Sequence, residues 1–138
     1  MVWEGKEAAS METQAAIYCR LSQDDGSLGE SGSIQTQKAI LTQYCQEHHM
    51  EIVDCYCDDG WSGTNFDRPA FQRMIGDIEA GRANTVIVKD LSRFGREYAQ
   101  MGLYIEHYFE EKGVRFLSLA ENIDSSQGLN NLVLPFSN

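Results

Sequence analysis

Along the chain, blocks of apolar residues recur with a spacing that switches between the strand period and the helix period. Ala15-Ala16-Ile17-Tyr18-Cys19 is an unbroken apolar run that gives way to Arg20, Ser22, Asp24 and Asp25. This predicts a buried strand that surfaces at Ser22. Arg20 and Ser22 are one strand period apart, so in extended geometry both side chains leave on the same face. "QDDGSLGESGS" (23–33) is a loop by composition. Ser33 is placed to cap a helix running to about His48, with Ile34, Ala39, Ile40, Leu41, Tyr44 and Cys45 as its stripe. "MEIVDCYCDD" alternates and predicts a second strand ending near Asp58, followed by the loop "GWSGTNFDRP".

Pro69 suits the first turn of a helix whose apolar face is Phe71, Met74, Ile75 and Ile78 and whose stop is Gly81. "NTVIVKD" reads as a short buried strand and "LSRFGRE" as a loop. A helix then carries Tyr98, Met101, Tyr104, Ile105, Tyr108 and Phe109 on one side, read as core packing, and ends at Gly113. "VRFLSLA" is a fourth strand. The remainder is loop-like, with a short apolar strand at Leu132 to Leu134. Regular alternation of strand and helix predicts an α/β fold in three layers: a mostly parallel central sheet of four to five strands with helices on both faces. Sites in such sheets gather at the carboxyl ends of the strands. Arg20 and Ser22, the loop from Asp59 to Arg68, and Arg93 with Arg96 all fall there.

Composition narrows the class. At 138 residues the chain fits one domain with a real core. Residues 13–138 are read as that domain, and residues 1–12 as a frayed or vector-derived extension. No apolar run reaches membrane-spanning length and no signal-peptide pattern opens the chain. Cys19, Cys45, Cys55 and Cys57 lack paired metal-ligand spacing, so they are read as reduced thiols of a cytoplasmic protein. A net charge of −10 argues against a tight grip on nucleic acid by this chain alone. Its seven arginines outnumber its four lysines and are gathered by motif.

A serine beside several arginines, with no metal motif, suits an anionic substrate rich in oxygen. Guanidinium forks stabilise the charge that develops in phosphoryl transfer, and a serine hydroxyl can serve as its nucleophile. Arg93 and Arg96 at a helix start oppose the helix dipole unless an anion compensates them. His48, His49 and His107 lie outside the cluster, so the proton acceptor is left among a carboxylate, water and an arginine.

"YCRLS", "SIQTQ", "DGWSGTNFDRP" and "DLSRFGRE" resemble, in order and spacing, the motifs of the serine recombinase (resolvase/invertase) catalytic domain. The resemblance covers roughly residues 14 to 125. It implies that Ser22 is the nucleophile and that Arg20, Arg68, Arg93 and Arg96 are the phosphate-binding and catalytic arginines. Gln37 takes the place of the family's active-site glutamine, Tyr18 that of the strand tyrosine, and Asp59 that of the acid opening the second loop. The implied activity is site-specific DNA recombination: cleavage to a 5′-phosphoserine link, strand exchange by subunit rotation and resealing, without metal, ATP or other cofactor. The implied partners are double-stranded DNA and further copies of the chain, as a homodimer and a synaptic homotetramer. Family members continue into a long helix and DNA-binding domains, so the chain is expected to be a truncated, bacterial or phage-encoded fragment that recombines nothing by itself.

Two departures from the family pattern stand out. Ser92 precedes Arg93 where the family often has an acid, with Asp90 the nearest carboxylate. The loop after Ser22 is long, as in the large serine recombinases of phages and mobile transposons. A rival reading is a receiver-like phosphoacceptor domain, in which Asp24 and Asp25 would bind magnesium and Asp90 would be phosphorylated, with Ser118 near the fourth strand.

Overall fold

The structure, a computed structural model, describes residues 13–22 and 33–127. The expectations for residues 1–12, for Asp24 and Asp25, and for a strand at Leu132 to Leu134 lie outside the described residues. Five strands form one sheet in the order β2-β1-β3-β4-β5: β1 Gln14–Leu21, β2 Glu51–Asp59, β3 Thr85–Val88, β4 Arg115–Ser118 and β5 Ile123–Asp124. All neighbouring pairs are parallel except β4 and β5. The two-residue β5 carries too little pattern to be read from sequence.

β1 lies inside the sheet, between β2 and β3, and is buried on both faces, which is why its sequence is an unbroken apolar run. Its residues divide by parity. Ala15, Ile17 and Cys19 pack with Ile87 and Leu117 beneath helix α1 (Ile34–Glu47), which contributes Leu41 and Cys45. Ala16 and Tyr18 join the opposite core with Tyr56, Val86, Val88 and Phe116. That core is covered by α2 (Pro69–Glu79), the single turn α3 (Leu91–Phe94) and α4 (98–112). Helices on both faces make the three expected layers.

Local chemistry fixes the helix ends. The Ser33 hydroxyl accepts from the Thr36 N–H at 3.0 Å and caps α1. Pro69 opens α2, and Gly81 and Gly113, at φ +78° and +71°, take the left-handed positions beyond α2 and α4. α4 departs from regular geometry: α-helical Tyr98–Gly102 and Phe109–Lys112 flank a π-helical stretch, Leu103–Tyr108. The wider turn buries Met101, Ile105 and Phe109 and leaves Tyr98 and Leu103 exposed, so the expected stripe is only partly core. No helix among the described residues is long and apolar enough to cross a membrane.

Candidate active site

Arg20 has the parity of Tyr18, so its side chain leaves β1 on the α2–α3–α4 side. It is fully buried and ties the loop after β2 and the turn α3 to the strand. Its Nη1 donates to the Trp61 carbonyl in the loop after β2 (3.0 Å). Its Nη2 and Nε donate to the Ser92 and Arg93 carbonyls of α3 (2.5 and 3.3 Å). Arg93, itself 4% exposed, returns Nη1 to the Arg20 carbonyl at 3.4 Å. Gly63 is glycine for lack of room: a Cβ there would lie 2.7 Å from Arg20 Nη2 and 3.1 Å from Arg96 Cγ. Arg96 is exposed at this rim, its backbone N–H bonded to the Gly63 carbonyl at 2.6 Å.

The ladder between β1 and β3 runs only as far as Ile17 and Ile87. Beyond it, Gln37 of α1 takes over the missing strand's role. Its Oε1 accepts from the Arg20 N–H at 3.1 Å and its Nε2 donates to the Arg20 carbonyl at 3.0 Å. Ser22, two residues later and just past the end of β1, is buried.

Arg68, 1% exposed, precedes α2 and reaches in beside Tyr18. Its Nε donates to the Asn65 carbonyl and its Nη1 to Tyr18 Oη, both at 2.8 Å. The guanidinium lies over the Phe66 ring at 4.5 Å. Its Nη2 is buried with no hydrogen-bond partner among the described residues. Tyr18 in turn donates to Asp58 Oδ2 at 2.8 Å. Burial, opposed by Arg68 and reinforced by Asp58, pushes the Tyr18 phenol well above its ordinary range, so it stays a donor.

The acid whose side chain enters this cluster is Asp58; Asp59, expected as the acid opening the second loop, is exposed at the end of β2. Strand parity is the reason, because Tyr56 and Asp58 share the face of Tyr18 and Arg20 while Asp59 does not. Counting by twos from the buried Tyr56 would have found it. Glu121 was also missed. It accepts from the Leu91 N–H at 3.2 Å and from Ser118 Oγ at 2.5 Å, which holds the start of α3. No local motif marks so distant a cap.

Asp90 caps α3. Its Oδ1 accepts from Ser92 Oγ (2.5 Å) and the Arg93 N–H (3.2 Å), and its Oδ2 from Lys89 Nζ (3.2 Å). Burial alone would raise its pKa, but Ser92, Lys89 and Arg93 together hold the carboxyl below the usual aspartate value. "LSRFGRE", expected as a loop, thus contains one capped helical turn.

The receiver-like alternative loses its support here: Asp90 is engaged in that cap, and β5 runs antiparallel where a doubly wound parallel sheet would continue. Arg20, Arg93 and Arg68 are instead buried beside the end of β1, with Arg96 at the rim. Such a cluster can hold an anion with several oxygens.

Comparisons with known proteins agree on one family. Residues 15–137 match the family described as Resolvase, N-terminal domain. The chain is 29% identical over 112 residues to the transposon Tn917 resolvase of Enterococcus faecalis, covering 81% of this chain and 52% of that protein. It therefore spans about half the length of that resolvase. The N-terminal catalytic domain of TP901-1 integrase is similar at a TM-score of 0.75, with 35% identity and 84% of each chain covered. A resolvase family site-specific recombinase from Streptococcus pneumoniae is similar at 0.72, with 30% identity, covering 86% of this chain and 80% of that one.

Proposed function

As the chain belongs to the resolvase N-terminal domain family of serine recombinases, we propose that it is the DNA-cleaving domain of a site-specific recombinase in which Ser22 is the nucleophile. Ser22 Oγ attacks the scissile phosphorus, the Oγ–P bond forms and the P–O3′ bond breaks. The products are a 5′-phosphoserine link and a free 3′-hydroxyl. The Oγ proton is lost to an acceptor, and the departing O3′ takes one up. Reversal by a new 3′-hydroxyl reseals the strand, and because each phosphodiester is exchanged for a phosphoserine ester, no outside energy source is needed.

Arg20, Arg68, Arg93 and Arg96 are the groups that hold the phosphate and stabilise the charge of the transition state. Gln37 fixes the strand end from which Ser22 emerges. Asp90 orients α3; its depressed pKa makes it a weak proton acceptor. Residues 13–138 form the catalytic domain, acting on double-stranded DNA within a homodimer that pairs into a tetramer.

One observation carries this reading. Arg68 is a buried guanidinium whose bonds go to a carbonyl and a phenol, with Nη2 unpartnered among the described residues. A buried cationic donor left so is costly unless an anion completes it. The test is covalent capture. The chain, at high concentration and low salt to offset the weak duplex binding that its net charge of −10 imposes, is incubated with a randomised duplex pool, SDS-resistant adducts are isolated, and the modified peptide is identified by mass spectrometry. The adduct should sit on Ser22 and vanish in Ser22→Ala; an adduct that persists in that variant refutes the assignment.

A further inference from the structure

Asp58, at the end of β2, is 2% exposed and receives three donors. Its Oδ1 accepts from the Ala70 N–H at 2.9 Å; its Oδ2 accepts from the Phe71 N–H at 3.0 Å and from Tyr18 Oη at 2.8 Å. Two of these bonds cap α2, where Arg68 offers no side-chain cap of its own. The third has a different consequence. Tyr18 Oη also receives Arg68 Nη1 at 2.8 Å. A guanidinium cannot accept, so the single hydroxyl proton must point to Asp58 and a lone pair must face Arg68. With Nε on the Asn65 carbonyl and Nη1 on Tyr18, the planar fork has two anchors, and the direction of Nη2 is fixed. Nη2 then lies beside Gly95, where a Cβ would come within 3.2 Å of it.

We propose that Asp58 is a positioning residue: by holding the proton of the Tyr18 hydroxyl it turns the phenol's lone pair to Arg68 and so aims Arg68 Nη2 at the substrate phosphate. The inference rests on the recombinase reading for the identity of that phosphate. Its structural half, the order imposed on Arg68, stands apart from it. A helix cap alone would have no need of Tyr18. The aiming role requires Asp58, Tyr18 and Arg68 to act in series.

The experiment compares the chain with its Asp58→Ala, Tyr18→Phe and doubly substituted variants by NMR of the arginine side chains. In the unsubstituted chain Arg68 should show separate, slowly exchanging Nη1 and Nη2 resonances. Both single variants should collapse them to one averaged signal, and only Asp58→Ala should move the Ala70 and Phe71 amides. Tyr18→Phe keeps both capping bonds, so it decides the matter even where Asp58→Ala fails to fold. Averaged Arg68 signals already present in the unsubstituted chain would overturn the proposal. So would separate signals that survive in Tyr18→Phe, or in Asp58→Ala with its α2 amides moved. On a duplex captured as above, Asp58→Ala should slow adduct formation by about tenfold, the worth of one charged hydrogen bond. It should slow it no further in the Tyr18→Phe background. An equal slowing in both backgrounds would reduce Asp58 to a cap. Failure of Ser22 to form an adduct would instead remove the recombinase reading and leave the NMR result to judge the positioning.

Discussion

Replacing Gln37 with leucine removes the side chain that stands in for a missing strand. Gln37 is fully buried, as is Arg20, and its amide gives the Arg20 backbone both an acceptor and a donor. In Gln37→Leu the Arg20 N–H loses the bond to Gln37 Oε1, at about 1–3 kcal/mol for a buried donor. The Arg20 carbonyl keeps the longer bond from Arg93 Nη1, so its loss is smaller, about 1 kcal/mol. The added apolar surface of leucine returns at most about 1 kcal/mol. The net destabilisation is therefore about 2 kcal/mol, which for a domain of this size lowers Tm by roughly 6–10 °C. Urea unfolding followed by circular dichroism measures it, with an unchanged m-value as the sign that only native-state stability moved. The covalent-capture assay reads the functional half, because Ser22 sits two residues beyond the freed backbone. A loss below about 0.5 kcal/mol would show that water satisfies Arg20 as well as Gln37 does, and the account of how β1 ends would be wrong.

Gly95→Ala should destabilise by about 1–3 kcal/mol. Its backbone is extended and unstrained, but the new Cβ would meet the Phe66 ring at 2.6 Å, and that ring is packed by Phe71, Phe94 and Tyr104; a melting curve matching the parent would refute the packing argument. Because the folded-state pKa of Asp90 is depressed, its contribution to stability is present above the ordinary aspartate value and is lost as pH falls from there through the lower folded-state value. Stability measured against pH should accordingly fall less steeply on the acid side in Asp90→Asn, and an unchanged slope would count against the cap. The Cys45 thiol, pushed up to about 11 by burial, should resist a disulfide reagent at pH 8 in the native chain and react at once in urea; rapid native labelling would contradict its burial. With a net charge of −10 the isolated chain should bind duplex DNA weakly in a gel-shift titration at moderate salt, and tight sequence-specific binding would show that the recognition surface is misplaced.

The sequence by itself determined the layers and the order of the elements, because burial on one or two faces leaves a period that local pattern records. The unbroken run of β1, the Ser33 cap, Pro69 and the glycines at 81 and 113 each carry their structural meaning within a few residues. The same holds for the family: ordered short motifs identify it before any contact is known. Only the tertiary structure decided which polar atoms meet. Gln37 pairs with the Arg20 backbone because β3 stops short, the Arg20 guanidinium donates to carbonyls of the distant loop after β2 and of α3, and Glu121 holds a helix start thirty residues away. Asp58 rather than Asp59 enters the cluster because a strand turns alternate side chains inward, and the end of β2 is where that alternation meets the arginines. Hydrogen bonds over such separations depend on the packed geometry of several elements at once, and a linear pattern holds no record of them.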